Sequence, residues 1–88
     1  MSISSELLIV LPANVALHAR PAGAFVKTAM GFKSRITVGH GDKEADAKSI
    51  LSVLALGAEG GSQIRVQAEG EDAEAALQAI SDWSAGLE

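Results

Sequence analysis

Residues 62–77 of this 88-residue chain, SQIRVQAEGEDAEAAL, contain a strand pattern that is followed at once by a helix pattern. Apolar Ile64, Val66 and Ala68 alternate with polar residues, and this period of two predicts a strand with one buried face. After Gly70 the apolar residues recur every three or four positions, which predicts an amphipathic helix that continues to residue 87. The start of this helix carries acidic residues, which the positive end of a helix dipole favours: Glu71, Asp72 and Glu74.

Outward from this stretch, the chain contains several more short elements. An aliphatic run at residues 6–11 predicts a strand, and residues 35–38 and 45–47 predict a hairpin with its turn at residues 39–42. A brief apolar segment at residues 49–55 predicts one or two turns of helix. Together with an amphipathic helix at residues 21–30, these elements give the order β-α-β-β-α-β-α. Helices packed on one face of a largely antiparallel sheet are the expected α+β arrangement.

A further amphipathic helix is predicted at residues 21–30. Pro21 suits its first turn, where the missing N–H loses nothing, and Gly31 marks its end. Trp83 is expected in the core, and His40 is expected to be a solvated residue of the hairpin turn. The apolar stripe of the helix follows the helical period and is expected to face the core: Ala22, Phe25, Val26, Ala29 and Met30.

The composition predicts one small cytoplasmic domain spanning residues 1–88. Nearly half of the residues are apolar (48%), which is enough for a packed core. The absence of cysteine excludes a disulfide scaffold, a thiolate metal site and a cysteine nucleophile. No apolar run approaches the roughly 20 residues needed to cross a bilayer, and the chain does not begin with the basic residues of a secretory signal.

The distribution of charge indicates where a charged partner would bind. A net charge of −4 argues against bulk binding to nucleic acid, which needs a clustered basic face. Basic residues outnumber acidic ones in the first 41 residues, whereas residues 59–88 carry seven acidic side chains and one arginine. An anionic substrate or an acidic partner is therefore expected at the front of the chain.

The residues with the clearest chemical potential are 17–22, LHARPA. His18 stands where a loop meets a helix start, and neutral imidazole is a competent nucleophile near pH 7. A helix start offers unpaired backbone N–H groups to an anion, and Arg20 adds a guanidinium that can hold phosphate oxygens by two parallel bonds. These residues suit a carrier of phosphoryl groups, although taken alone they also fit a loop histidine without a chemical role. No GxxxxGK[ST] loop and no metal-ligand set is present, so neither a cofactor nor a metal is expected.

Three segments resemble the histidine-containing phosphocarrier family, HPr, of the phosphoenolpyruvate-dependent sugar phosphotransferase system. They are LHARPAGAFVKTA (17–29), ADAKSILSVLALG (45–57) and SQIRVQAEGEDAEAAL (62–77). They follow one another in the family's order and spacing. The resemblance implies an open-faced β-sandwich, in which a four-stranded antiparallel sheet is covered on one face by three helices. It also implies a phosphoryl carrier that is not an enzyme.

The resemblance implies roles for individual residues of the front segment. His18 matches the phosphoacceptor, which phosphorylated enzyme I loads on Nδ1 and which then passes the group to a histidine on a sugar-specific enzyme IIA domain. Arg20 matches the arginine that stabilises the phosphoryl group. The backbone N–H groups of Ala19 and Arg20 would face the same phosphate oxygens. The protein is expected to be a monomer that does not insert into membranes.

The middle segment resembles the regulatory and docking region of the family. Ser49 matches the serine that the ATP-dependent HPr kinase modifies in many relatives, and it also suits the N-cap of a short helix. An exposed apolar centre with basic neighbours is expected to meet the partner proteins, with core packing as the alternative for some of its apolar members. The residues expected in this docking patch are Lys27, Lys48, Ile50, Leu51 and Leu54.

Two alternatives stay open at this point. A carrier of a nitrogen-regulatory phosphorelay would have the same chemistry with other partners. A small non-catalytic domain that binds an anion or another ligand would belong to a different class. Incubation with phosphoenolpyruvate and enzyme I separates the classes, because only a carrier gains an acid-labile, base-stable phosphate.

Overall fold

The computed structural model describes residues 4–13 and 19–87. The element order is the predicted β-α-β-β-α-β-α, which confirms the α+β class. The elements are β1 (Ser4–Val10), α1 (Ala19–Met30), β2 (Arg35–His40), β3 (Lys43–Asp46), α2 (Ile50–Leu54), β4 (Gln63–Glu69) and α3 (Ala73–Ala85). Among the described residues, no helix has both the length and the apolar character that a membrane crossing requires.

The four strands form one antiparallel sheet in the order β1-β4-β2-β3. Strand β4 is central, and Val66 lies opposite Leu7 of β1 on one side and Val38 of β2 on the other. Along β4, Ile64, Val66 and Ala68 are buried while the residues between them are half-buried or exposed. The alternation predicted for this strand therefore places one face of the sheet in the core and leaves the other face open.

The helices cover one face of the sheet and close a single core. Helix α3 packs against β1 and β4, and α1 packs between α3 and α2. The fully buried side chains come from every layer, including Phe25 of α1, Val53 of α2 and Ile80 of α3. Full burial of such a side chain contributes about 1.5–3 kcal/mol, so these few residues account for much of the packing energy.

The hairpin between β2 and β3 differs from the prediction. Strand β2 continues through His40, and the turn consists of Gly41 and Asp42, with Gly41 at φ 62°. A two-residue turn needs such positive φ values, which glycine adopts without strain. His40 is half-buried, and its Nδ1 lies 3.1 Å from the carbonyl oxygen of Leu56. The prediction of a solvated turn histidine is therefore wrong.

Met30 and Trp83 also differ in part from the prediction. Met30 is 65% exposed, although the other members of the predicted stripe are buried. Each helical residue turns the direction by about 100°, which places Met30 at the rim of the stripe, on the last residue of α1. Trp83 packs against the core but is only half-buried.

The start of α3 is fastened to the connection between α1 and β2. The carboxylate of Asp72 accepts hydrogen bonds from the backbone N–H groups of Lys33 (2.8 Å) and Ser34 (2.9 Å), and from the Ser34 hydroxyl. Ser34 is buried, and a Cβ at Gly70 would lie 2.6 Å from its Oγ. Asp72 occupies the N-cap position of α3 but makes no capping bond to that helix. It therefore joins two distant segments, a role that the dipole argument did not predict.

We expect Asp72→Asn to lower the melting temperature at neutral pH. The melting temperature of this variant should also fall less than that of the parent as the pH is lowered. The Ser34 hydroxyl and the Lys33 N–H hold the pKa of Asp72 below its ordinary value of 3.8. Because the pKa of Asp72 is lower in the folded state, its ionised carboxylate stabilises the fold. This stabilisation is fully present at pH values above the ordinary pKa and is lost as the pH falls through the lowered pKa. Thermal unfolding between about pH 7 and pH 2.5 measures it, with exposed Glu74→Gln of the same helix as the control. A difference between parent and Asp72→Asn that persists unchanged at the lowest pH would contradict this linkage.

Candidate functional site

The site predicted from residues 17–22 lies around the start of α1. The helix begins at Ala19, two residues earlier than predicted, so Pro21 is its third residue and still within the first turn. The N–H groups of Ala19 and Arg20 come before the first i→i−4 bond and have no acceptor inside the helix, and the first turn carries no acidic residue. This helix start can therefore receive an anion through backbone N–H groups and the positive end of the dipole.

Of the two side chains predicted to act at this site, the structure describes Arg20 and not His18. Arg20 is exposed in the first turn of α1, where its guanidinium is accessible to a bound anion. His18 directly precedes α1 in the sequence and lies outside the described residues. The described part of the site therefore consists of the helix start and one arginine.

Residues 11–13, which follow β1, are held by hydrogen bonds and by close backbone packing against the turn before β4. Leu11 is buried; its N–H donates to the carbonyl of Ser62 (2.9 Å) and its carbonyl accepts from the N–H of Gly61 (3.0 Å). A Cβ at Gly60 would overlap the carbonyl of Ala13 and lie 3.0 Å from that of Pro12. The turn before β4 thus packs backbone against backbone on residues 11–13, and only glycine fits at position 60.

Ser49, for which the family resemblance implies a regulatory role, lies directly before α2. Ser49 is the N-cap, with extended backbone (φ −114°, ψ 110°), and its Oγ accepts a hydrogen bond from the N–H of Ser52 at 3.4 Å. The Ser49 hydroxyl also donates to Oγ of Ser52 at 3.1 Å. The capping prediction is confirmed. The half-buried position of Ser49 leaves part of its side chain accessible.

The five residues predicted to form the docking patch fall into two groups. Leu51 is 79% exposed and Ile50 is 38% exposed, whereas Leu54 is half-buried and packs against the core. Lys27 is exposed near the end of α1. Lys48 is half-buried, and its Nζ donates to the carbonyl of Phe32 at 2.7 Å. The structure therefore leaves Leu51, Ile50 and Lys27 open to solvent and engages the other two.

One contact at the site was not predicted. The indole Nε1 of Trp83, near the end of α3, donates to the carbonyl of Pro21 at 3.2 Å. The two residues are 62 positions apart, and no pattern in the sequence indicates their proximity. Among the residues that the structure describes, no three His, Asp or Glu side chains come close enough together to hold a metal ion.

Known proteins match the chain over most of its length. A family model for the phosphorylation site of the HPr component of the phosphotransferase system (PTS) matches residues 6–85. The phosphocarrier protein HPr of Mycoplasma capricolum is 45% identical over 67 residues, which cover 76% of this chain and 75% of that protein. The multiphosphoryl transfer protein of Salmonella typhimurium is 48% identical over 75 residues, which cover 81% of this chain but 20% of that longer protein.

The fold agrees with the sequence matches. The crystal structure of HPr-C-His from Thermoanaerobacter tengcongensis superposes with a TM-score of 0.89 at 38% identity and covers 94% of this chain and 93% of that one. The sequence matches and the superposition thus agree over most of the chain. The chain therefore belongs to the HPr family of phosphocarriers of the phosphoenolpyruvate-dependent sugar phosphotransferase system, which carry the phosphoryl group on a histidine and are not themselves catalysts.

Proposed function

We propose that His18 is the histidine that carries the phosphoryl group, which it accepts on Nδ1 from phosphorylated enzyme I and passes to enzyme IIA domains. The observation that carries this proposal is the start of α1 at Ala19, immediately after His18, with first-turn N–H groups and no acidic residue. The chain has one other histidine, His40, whose Nδ1 lies against the carbonyl of Leu56. His18 is thus the histidine that an anion-binding helix start directly follows.

The transfer step needs a nucleophile and neutralisation of charge. The lone pair on Nδ1 of His18 attacks phosphorus while the bond between phosphorus and the donor atom breaks, and that electron pair remains on the donor. The N–H groups of Ala19 and Arg20 and the guanidinium of Arg20 then stabilise the negative oxygens. Phosphoryl transfer depends mostly on positioning and on such charge stabilisation, which two docked proteins supply together.

The direct test is incubation with phosphoenolpyruvate and enzyme I. The carrier gains one acid-labile, base-stable phosphate, whereas a small ligand-binding domain gains none. Transfer onward to purified enzyme IIA domains of the sugar system, compared with those of a nitrogen-regulatory relay, identifies the partners. If the protein gained no phosphate from active enzyme I, the proposal that enzyme I is its phosphoryl donor would be wrong.

We expect Arg20→Lys to slow phosphoryl acceptance several-fold without weakening the binding of enzyme I. Lysine keeps the positive charge but lacks the planar fork that holds two phosphate oxygens at once. The measurement is the acceptance rate at saturating enzyme I, together with the KM for enzyme I. Arg35→Lys is the matched control, because Arg35 is an exposed arginine of β2 outside the site. Equal rates for Arg20→Lys and the parent would show that Arg20 is only a solvated neighbour.

We propose that partners dock on the surface formed by α1 and α2, which pack against each other. Leu51 and Ile50 supply exposed apolar area, and Lys27 supplies positive charge for acidic partners. Leu54 supports α2 from the core side, and Lys48 holds its side chain against the end of α1 through Phe32. Modification of Ser49 by an HPr kinase would place negative charge at the edge of this surface.

The proposed setting follows from the same family assignment. The carrier acts in the cytoplasm as a monomer, and residues 1–88 form one domain. It needs no cofactor and binds neither nucleic acid nor membrane, in keeping with its net charge of −4. Sedimentation at micromolar concentration tests the monomer, and fractionation of the host cell tests the location.

A further inference from the structure

The only tryptophan of the chain contacts the helix that begins the proposed phosphoryl site. Trp83 lies near the end of α3, and its indole Nε1 donates to the carbonyl of Pro21 at 3.2 Å. Its ring centroid lies 5.0 Å from that of Phe25, with the two planes tilted by 60°. Pro21 and Phe25 are four residues apart and share one side of α1. Trp83 therefore holds two points of α1 that are one helical turn apart.

The hydrogen bond acts on a special position of the helix. The carbonyl of Pro21 accepts the ordinary helical bond from the N–H of Phe25 and has a second lone pair for the indole N–H. The proline ring fixes φ at position 21, which restricts how the first turn can bend. A contact at Pro21 consequently controls where Ala19 and Arg20, the two preceding residues, lie relative to α3.

We infer that Trp83 is a positioning residue for phosphoryl transfer, which it serves by holding the first turn of α1 through Pro21. This inference rests on the proposed function, in which the N–H groups of Ala19 and Arg20 stabilise the phosphoryl group on His18. Donors that are displaced by a fraction of an ångström lose much of their effect on a developing charge, because hydrogen-bond energy falls steeply with distance and angle. In this proposal Trp83 acts through Pro21 and not on the phosphoryl group itself.

The coupling also operates in the reverse direction. A phosphoryl group at the start of α1 attracts the first-turn N–H groups, and any resulting displacement of Pro21 alters its bond to the indole. Thermodynamic linkage requires that the bond and the phosphorylation affect each other by equal free energies. Because Trp83 is the only tryptophan, its fluorescence reports this coupling without interference. We expect the emission of the parent to change on phosphorylation and to return after acid hydrolysis.

Trp83→Phe tests the inference, because phenylalanine keeps an aromatic ring against Phe25 but removes the N–H. The amides of Gly23 and Ala24 donate to the carbonyls of Ala19 and Arg20 in the helix, so their hydrogen exchange reports opening of the first turn. We expect their exchange to accelerate about five-fold, which corresponds to the loss of one hydrogen bond. The amide of Ala29, about one and a half turns later in α1, should exchange as in the parent. Phosphoryl acceptance at saturating enzyme I should slow several-fold with an unchanged KM.

Leu87→Ala is the control for general damage to this end of the chain, since Leu87 also packs against the core without a hydrogen bond from its side chain. It should lower the melting temperature while the exchange of Gly23 and Ala24 follows the global stability. Parent-like exchange at Gly23 and Ala24 in Trp83→Phe would overturn the inference and leave Trp83 as a packing residue. Failure of the proposed function is distinct: the parent would then gain no phosphate, whereas the exchange rates would still decide whether Trp83 holds the first turn of α1.

Discussion

We expect His18→Ala to gain no acid-labile phosphate from phosphoenolpyruvate and enzyme I, while the parent gains one equivalent. Alanine removes the imidazole that directly precedes α1 in the sequence, and backbone N–H groups and Arg20 can bind an anion but cannot form a bond to phosphorus. The substitution leaves the described core side chains, among them Phe25, Val53 and Ile80, in place, and we expect the melting temperature to stay close to that of the parent. Radiolabelled phosphate in acid- and base-treated samples, with thermal unfolding in parallel, measures both effects.

The second histidine provides the matched control for this experiment. His40 is half-buried at the end of β2 with Nδ1 at 3.1 Å from the Leu56 carbonyl. His40→Asn removes the imidazole but keeps a side-chain N–H donor for that carbonyl. It should gain a full equivalent of phosphate. If His18→Ala gained a full equivalent of phosphate, or if only His40→Asn failed to gain phosphate, His18 would not be the acceptor.

The element order could be predicted from the sequence because it depends on local patterns. Alternation at Ile64, Val66 and Ala68 and the helical stripe around Phe25 each need only a few neighbouring residues to be recognised. The start of α1 beside Pro21 is also a local signal, and it lies two residues from its predicted place. These patterns fix which face of each element is apolar, and a single layer of helices on an antiparallel sheet then satisfies all of them.

The contacts that hold the site in place could not be predicted, because each joins residues far apart in the sequence. Trp83 reaches Pro21 across 62 positions, and Asp72 reaches Ser34 across 38. A histidine in a glycine-flanked segment looked solvated because the approach of Leu56, 16 positions later, leaves no local trace. Hydrogen bonds of this kind are set by how the elements pack, so the same sequence patterns are compatible with their presence or absence.

The docking patch shows the same limit within one short helix. Ile50, Leu51 and Leu54 are all aliphatic, yet Leu51 is 79% exposed and Leu54 packs against the core. A five-residue helix is too short for its period to separate an exposed face from a buried one. Which of these apolar residues face solvent and which join the core therefore needed the structure.

Variants of Ser49 can separate its observed role as a helix cap from its proposed regulatory role. Its Oγ accepts the N–H of Ser52, and a carboxylate at the same position can accept that N–H as well. Ser49→Asp should therefore keep the melting temperature of the parent. Ser49→Ala removes the cap without adding charge and should destabilise the fold by about 1 kcal/mol. Ser49→Asp is thus expected to keep the stability of the parent and to weaken partner binding, whereas Ser49→Ala is expected to lose stability and to keep partner binding.

Negative charge at Ser49 should weaken docking of enzyme I without unfolding α2. A phosphoserine carries about −1.5 to −2 charges and would sit beside Leu51 and Ile50, the exposed apolar part of the docking surface. Desolvating that charge against an acidic, partly apolar partner should cost on the order of 1–3 kcal/mol, which corresponds to several-fold to about a hundredfold in affinity. Ser49→Asp carries less charge and should give a smaller loss of the same sign, while Ser49→Ala should bind enzyme I as the parent does. Titration of enzyme I with the three proteins measures this. A lower melting temperature for Ser49→Asp with unchanged affinity would leave Ser49 as a helix cap alone.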